Sequence, residues 1–416
     1  MVKKVLLGAL SLSVLLAYGS QAANGKTPGT RRWVAVWSSS PAGATRSLRI
    51  AGEELSAPYV TGGTARYRIR LALRGQELRF RLSNEYSDRS MAVSSATVGL
   101  AGKHLDATPG SIIALKFGGQ AAVVIPAGSP VVSDPVQLGT SGPLDLIVNI
   151  HVANGLEVLD CTEQWAPRDQ IVIVGIDATL HDQAGAVPCR HTSRPIVSRV
   201  TGLVPDRAKV VVTLGDSITD GDLDDDSGER GWPGALSSRL GRADVAVVNA
   251  GIAGNRLLAS EPMFGESALA RLDRDVLSMP GVRYLFVLEG INDIGMSGAG
   301  GALGDTPLVE PGALIAAYSQ IINRAHEQGI KVIGATLLPF EGAFYYSADK
   351  DRVRQEVNHW IRESGAFDAI VDFEAVMRDP RQPTRLNPAY DGGDHLHPNA
   401  NGYRQMARGV ELGLFR

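Results

Sequence analysis

Hydrophobic and polar positions follow two different rhythms along this chain, and the change falls near its middle. In the first half, Tyr67, Ile69, Leu71 and Leu73 alternate with Arg66, Arg68 and Arg70, and Leu78, Phe80 and Leu82 alternate with Arg79 and Arg81. Period two is the signature of strands that bury one face. With Arg74-Gly75-Gln76-Glu77 between them, the two runs read as an antiparallel hairpin with one solvated, arginine-bearing face. Further short strands are expected around Ala121 to Ile125, Leu144 to Val152 and Ile171 to Ile176, separated by Gly, Pro and Asp turn signals. This spacing favours a β-sandwich or jelly roll.

From about Lys209 the rhythm changes to short apolar runs alternating with amphipathic segments. Lys209 to Leu214, Val245 to Asn249, Tyr284 to Glu289, Lys331 to Leu337 and Ala369 to Asp372 read as strands. Helices are expected near Pro233 to Leu240, Pro311 to Gln328 and Asp349 to Ser364, and a last one from about Asn401. Strand and helix in alternation imply a parallel sheet covered on both faces. The expected organisation is thus a smaller β-sandwich at 31–201 and an α/β domain at 208–416, joined through Gly202-Leu203-Val204-Pro205-Asp206.

The first residues add a destination. Met1-Val2-Lys3-Lys4 is a charged start, Val5 to Ala17 is apolar, and Tyr18-Gly19-Ser20-Gln21-Ala22-Ala23 offers small residues for cleavage. This reads as a signal peptide over residues 1–23 that sends the protein to the periplasm or the cell exterior. The apolar stretch is short for a bilayer span, and no span is expected after cleavage. Export places Cys161 and Cys189, the only cysteines, in an oxidising compartment, where a disulfide between them would add roughly 3 to 4 kcal/mol. The alternative is two unpaired buried thiols. With 41 Lys and Arg against 44 Asp and Glu, the net charge of −3 provides no global field for nucleic acid or anionic lipid.

The chemistry is carried by four loops. Leu214-Gly215-Asp216-Ser217-Ile218-Thr219-Asp220-Gly221 follows the first α/β strand and mounts a serine at the carboxyl edge of the sheet, where ligands of open α/β folds bind. Thr219 stands where Gly-x-Ser-x-Gly needs its second glycine, which argues against an α/β-hydrolase elbow. A serine hydroxyl needs an adjacent base, and the base needs an orienting group. His397, with Asp394 three residues earlier, supplies both. A developing oxyanion needs fixed donors, each worth roughly 3 to 4 kcal/mol. The amides of Ser217 and Gly254, in Ala250-Gly251-Ile252-Ala253-Gly254-Asn255-Arg256, and the side chain of Asn292, in Glu289-Gly290-Ile291-Asn292-Asp293, provide three.

These blocks resemble the SGNH hydrolases, or GDSL esterases. The match comprises Gly215-Asp216-Ser217, the Asn249 to Gly254 turn, Gly290-Ile291-Asn292-Asp293 and Asp394-His395-Leu396-His397, in the family's order, with Ile218 where the family's name has leucine. The resemblance implies a flavodoxin-like three-layer α/β/α domain with Ser217 as nucleophile, His397 as base, Asp394 as its partner, and Ser217, Gly254 and Asn292 as the oxyanion hole. More narrowly, Asn249 to Leu258 and Leu288 to Gly295 are similar to secreted esterases of xylan-degrading systems. In that subgroup a β domain with a start like Trp33-Val34-Ala35-Val36-Trp37 precedes the catalytic one. This implies a small-molecule or oligosaccharide ester substrate, hydrolysed without metal or organic cofactor.

Other readings of the same residues remain open at this level. The triad can serve a lipase or thioesterase acting on longer acyl chains, or it can be vestigial in a carbohydrate-binding protein. His395 and His397 with Asp391 or Asp394 have the look of metal ligands, although that leaves Ser217 and Asn292 unexplained. Asp216, Trp232 and Arg256 are candidates for substrate contact, with turn capping the alternative for Asp216 and packing for Trp232. The acidic run Asp220 to Asp226 reads as a solvated loop or a calcium site.

Overall fold

The computed structural model describes residues 30–43, 49–50, 53–54, 59–138, 145–160, 169–183, 185, 190–192, 195–221, 229–241, 244–261, 264–299 and 306–415. The expected signal peptide over residues 1–23, the expected Cys161–Cys189 disulfide and Asp222 to Asp226 lie outside these residues.

The alternating first half folds into two antiparallel sheets. One runs in the order Arg31–Ser38, Val197–Pro205, Leu78–Asn84, Ser129–Val132. The other runs Gln170–Val174, Tyr59–Arg70, Asp145–Asp160, Met91–Leu100, Ile113–Ala114, with Arg190–His191 and Val123–Ile125 attached at its margins. Tyr67, Ile69, Phe80, Leu82, Val148 and Val200 all lie in its core.

The expected hairpin is corrected here. Tyr59–Arg70 pairs with Asp145–Asp160 and Gln170–Val174, and Leu78–Asn84 pairs with Val197–Pro205 and Ser129–Val132. The two arginine-rich runs therefore belong to different sheets, and the segment between them is a corner of the sandwich. Period two fixes which residues face inward but is silent about which strand lies alongside. Nor is the arginine face uniformly wet. Arg66 is fully buried, its guanidinium donating to Asn149 Oδ1 at 2.6 Å, to Ala178 O at 3.2 Å and to the carbonyl of His181. Burial of such a cation is tolerable because fixed acceptors replace its water.

The second half forms a five-stranded parallel sheet in the order Val245–Gly251, Lys209–Gly215, Val282–Leu288, Lys331–Ala335, Ala369–Val371. In chain order this is 2-1-3-4-5, the flavodoxin-like arrangement, whose switch point lies between its first and third strands. Gly215 is in register with Leu288 across that point, so residues 216–217 and 289–292 emerge side by side. Gly231–Leu240, Pro311–Glu327, Ala348–Glu363 and Ala400–Gly409 are the main helices, close to the expected bounds. Among the described residues, no helix is long and apolar enough to cross a membrane.

The expected linker is strand as far as Pro205, leaving only a tight turn before Lys209. The first strand also reaches across the junction. Ala35 N donates to Pro280 O at 2.9 Å and Ser38 Oγ to Asn249 O at 2.7 Å, while Val34 packs where Gly281 leaves no room for a side chain. One apolar cluster runs unbroken from Val34 and Phe80 to Val211 and Phe286.

Candidate active site

Strand Lys209–Gly215 ends at Asp216, which caps the four-residue helix Ser217–Asp220 by accepting from Ile218 N at 2.9 Å. Capping of this kind satisfies an amide that the helix itself cannot, and it holds Ser217 at the first helical position. Gly215 is required at the strand end, because a Cβ there would lie 2.3 Å from Thr219 Oγ1 and 2.4 Å from Leu288 O.

Ser217 Oγ lies 2.7 Å from His397 Nε2, and His397 Nδ1 lies 2.6 Å from Asp394 Oδ2. An ionised carboxylate can only accept, so Nδ1 carries the proton and Nε2 faces the serine hydroxyl as an acceptor. Asp394 Oδ1 accepts from His397 N at 2.8 Å and Leu396 N at 3.0 Å. Partial burial works against ionisation of Asp394, but the hydrogen bonds and charge of His397 outweigh it and hold the carboxyl well below its ordinary range.

The glycine-rich turn follows strand Val245–Gly251. Gly254 has φ of +73°, and a Cβ on it would sit 2.1 Å from the Phe264 ring. Fully buried Asn255 fastens this turn, donating through Nδ2 to Phe264 O at 2.6 Å and Glu266 O at 2.8 Å and accepting from Arg271 Nε at 2.9 Å. Asn292, on helix Ile291–Met296, donates through Nδ2 to Asn255 O at 3.0 Å and accepts from Tyr345 Oη at 3.3 Å. One amide hydrogen of Asn292 is thereby committed, and the second remains for a ligand.

Arg271 ties the two strand ends together. Completely buried, it donates to Gly215 O at 3.0 Å and to Ala250 O, and pairs with Asp275 at 3.2 Å and Glu289 at 3.8 Å. Asp216 and Asp293 crowd the same region as Glu289. Burial raises Asp216 to about 7, reinforced by the charge of Asp293, and raises Asp293 to about 6 against the opposing amides of Leu257 and Leu258. Glu289 is pushed well above its ordinary value by burial and then by the charge of Asp216.

Ser217, His397, Asp394, the Gly254 turn and Asn292 are therefore joined in one hydrogen-bonded region. Two candidate substrate contacts are corrected. Trp232 is fully buried, its ring 4.7 Å from that of Phe286 and 5.4 Å from that of Phe373, so it offers a sugar no surface. Asp216 is buried behind the turn it caps. Arg256 is mostly covered and pairs with Glu261 at 3.7 Å. Of the acidic run, Asp220 pairs with Arg230 at 3.4 Å. Among the described residues, no group of three or more His, Cys, Asp and Glu is placed to hold a metal ion; His395 and His397 each bond their own aspartate. The sequence offered little sign of Asn255, Arg271, Glu289 or Tyr345, whose roles depend on neighbours distant along the chain.

Residues 213–405 match the GDSL-like Lipase/Acylhydrolase family, and the C-terminal half of the chain carries a domain of that family. Among solved structures, the chain is similar to a putative lipolytic protein of the G-D-S-L family from Desulfitobacterium hafniense, at 20% identity over 49% of this chain and 99% of that one, with a TM-score of 0.37. It is similar to a catalytic mutant of an acetylxylan esterase from Geobacillus stearothermophilus, at 21% identity over 48% of this chain and 91% of that one, with a TM-score of 0.36. A third likeness is to the native aryl esterase of M. smegmatis, at 16% identity over 50% and 99%, with a TM-score of 0.40. No curated protein matches the chain.

Proposed function

We propose that the protein is an exported serine esterase that hydrolyses short-chain, chiefly acetyl, oxygen esters of carbohydrates through an acyl-Ser217 intermediate. The observation that carries this reading is the continuous chain from Ser217 Oγ to His397 at 2.7 Å and from His397 to Asp394 at 2.6 Å. As Oγ attacks the ester carbon, its proton passes to His397 Nε2 and the carbonyl oxygen takes up the negative charge. The amides of Ser217 and Gly254 and the uncommitted hydrogen of Asn292 Nδ2 are the donors for that oxyanion. On collapse, the C–O bond to the alcohol breaks and His397 returns the proton to the departing oxygen. Water then attacks the acyl-serine with His397 again as base, releasing the carboxylic acid and restoring Oγ–H.

Asp394 stays ionised, fixing the imidazole and stabilising its protonated form. The carbohydrate part of the reading is supported by the resemblance of Asn249 to Leu258 and of the first strand to the xylan-associated subgroup, and export by the charged and apolar start of the chain. Ser217→Ala tests the mechanism. Turnover of p-nitrophenyl acetate should fall by at least about 10³-fold, with loss of labelling by a fluorophosphonate; retention of most activity overturns the reading.

A further inference from the structure

The loop that carries Asp394 and His397 holds a second imidazole–carboxylate pair that the hydrolytic scheme leaves unused. His395 Nδ1 lies 2.6 Å from Asp391 Oδ2, and Asp391 Oδ1 accepts from Gly393 N at 2.8 Å and His395 N at 3.1 Å. Asp391 is mostly covered, whereas the His395 side chain is 51% exposed. Because the aspartate accepts at Nδ1, His395 presents its Nε2 lone pair outward, and no partner meets that nitrogen among the described residues.

Two costs are borne to hold it there. His395 is one of only two non-glycine residues with positive φ among the described residues, at +63°, a conformation that persists where its surroundings impose it. The ring lies against Gly342, whose φ is +104° and where a Cβ would stand 2.8 Å from His395 Cδ2. The seat is therefore shaped around the imidazole.

Two residues beyond Gly342 stands Phe344, 59% exposed and the most exposed aromatic side chain among the described residues. Its ring is 4.4 Å from that of Tyr345, which bonds Asn292 at 3.3 Å. The segment Gly342 to Tyr345 thus touches both the histidine loop and the oxyanion asparagine. His397 must hand its proton to the departing alcohol, so the alcohol half of the ester lies on the flank of the loop that carries both histidines.

We propose that His395, held by Asp391, is a specificity-determining residue that accepts a hydrogen bond from a free hydroxyl of the sugar alcohol, with Phe344 covering an apolar face of the same ring. This rests on the esterase reading above and extends it to the alcohol side. With the Nδ1 proton held on Asp391, Nε2 accepts and does not donate, so it selects hydroxylated alcohols over fully esterified ones.

The test compares methyl 2-O-acetyl-β-xylopyranoside, which has free hydroxyls, with its fully acetylated counterpart and with p-nitrophenyl acetate. In His395→Ala, the ratio of kcat/KM for the monoacetate to that for the triacetate should fall about tenfold, the size of one lost hydrogen bond to a bound substrate. His395→Asn, which tolerates positive φ but is too short to fill the same place, should do the same and covers a failure of the alanine variant to fold. Phe344→Ala should raise KM for both xylosides with little change in kcat. An unchanged monoacetate-to-triacetate ratio, with all three esters falling in parallel or none falling, overturns the assignment while leaving the esterase reading intact. If the unmodified protein cleaves p-nitrophenyl acetate and neither xyloside, the carbohydrate reading falls and this assignment with it.

Discussion

Asn292 is the residue where support and chemistry are hardest to separate. One of its amide hydrogens holds the Asn255 carbonyl and its oxygen receives Tyr345, so the amide is oriented before any ligand arrives. Asn292→Ala is expected to lower kcat by about 10²- to 10³-fold with a much smaller change in KM, because the lost donor acts on charge that develops only in the transition state; steady-state kinetics on p-nitrophenyl acetate check this. Asp216 is a different kind of residue, a buried cap whose Oδ2 has no partner among the described residues. Its folded value is raised to about 7 from an ordinary 3.8, so the folded state binds this proton more tightly than the unfolded chain does. The resulting stability is present in full below about pH 4 and is lost as pH rises through 7. Asp216→Asn retains the capping oxygen and removes the titration. Its Tm relative to the wild type should rise by at least about 3 °C between pH 5 and pH 8, and a constant difference would refute the titration.

The elements around the site are held more by backbone shape than by helix length. Helix Ser217–Asp220 is a single turn, and its position depends on the parallel register of Gly215 with Gly251 on one side and Leu288 on the other. The Gly254 turn needs both its positive φ and its lack of a side chain. Gly254→Ala drives a methyl into the Phe264 ring and should cost about 10²-fold in kcat as the amide is displaced. Gly254→Ala combined with Phe264→Ala should recover part of that loss by relieving the clash. A double variant no better than the single would place the cause in φ alone.

Across the whole molecule, the sandwich and the α/β domain share one apolar core. Ser38, at the end of the first strand, bonds the carbonyl of Asn249 at the start of the glycine-rich turn, Ser40 Oγ lies 3.3 Å from Arg271, and Tyr86 Oη donates to Glu266 Oε2 at 2.6 Å. Glu266 in turn offers its backbone carbonyl to Asn255. The β domain therefore buttresses the turn that bears Gly254. A continuous core predicts that the described parts unfold together: scanning calorimetry should give one transition, and two well-separated transitions would contradict it.

Much of this was legible in the sequence, for a definable reason. Hydrophobic period and turn residues are local, so the change from sandwich to α/β rhythm, the five parallel strands and the four main helices of the second half could be read within a residue or two. The four loops with Ser217, Gly254, Asn292 and His397 could also be named, because each requires particular chemistry at a strand or loop end. What the sequence could not determine was whatever depends on partners far apart in the chain. The arginine-rich runs lie in opposite sheets, Arg66 and Trp232 are buried, and the supposed linker is strand. Only tertiary structure assembles Arg271, Asn255 and Tyr345 behind the site and seats His395 on Gly342, since alternation sets which way a side chain points and packing alone decides what it meets.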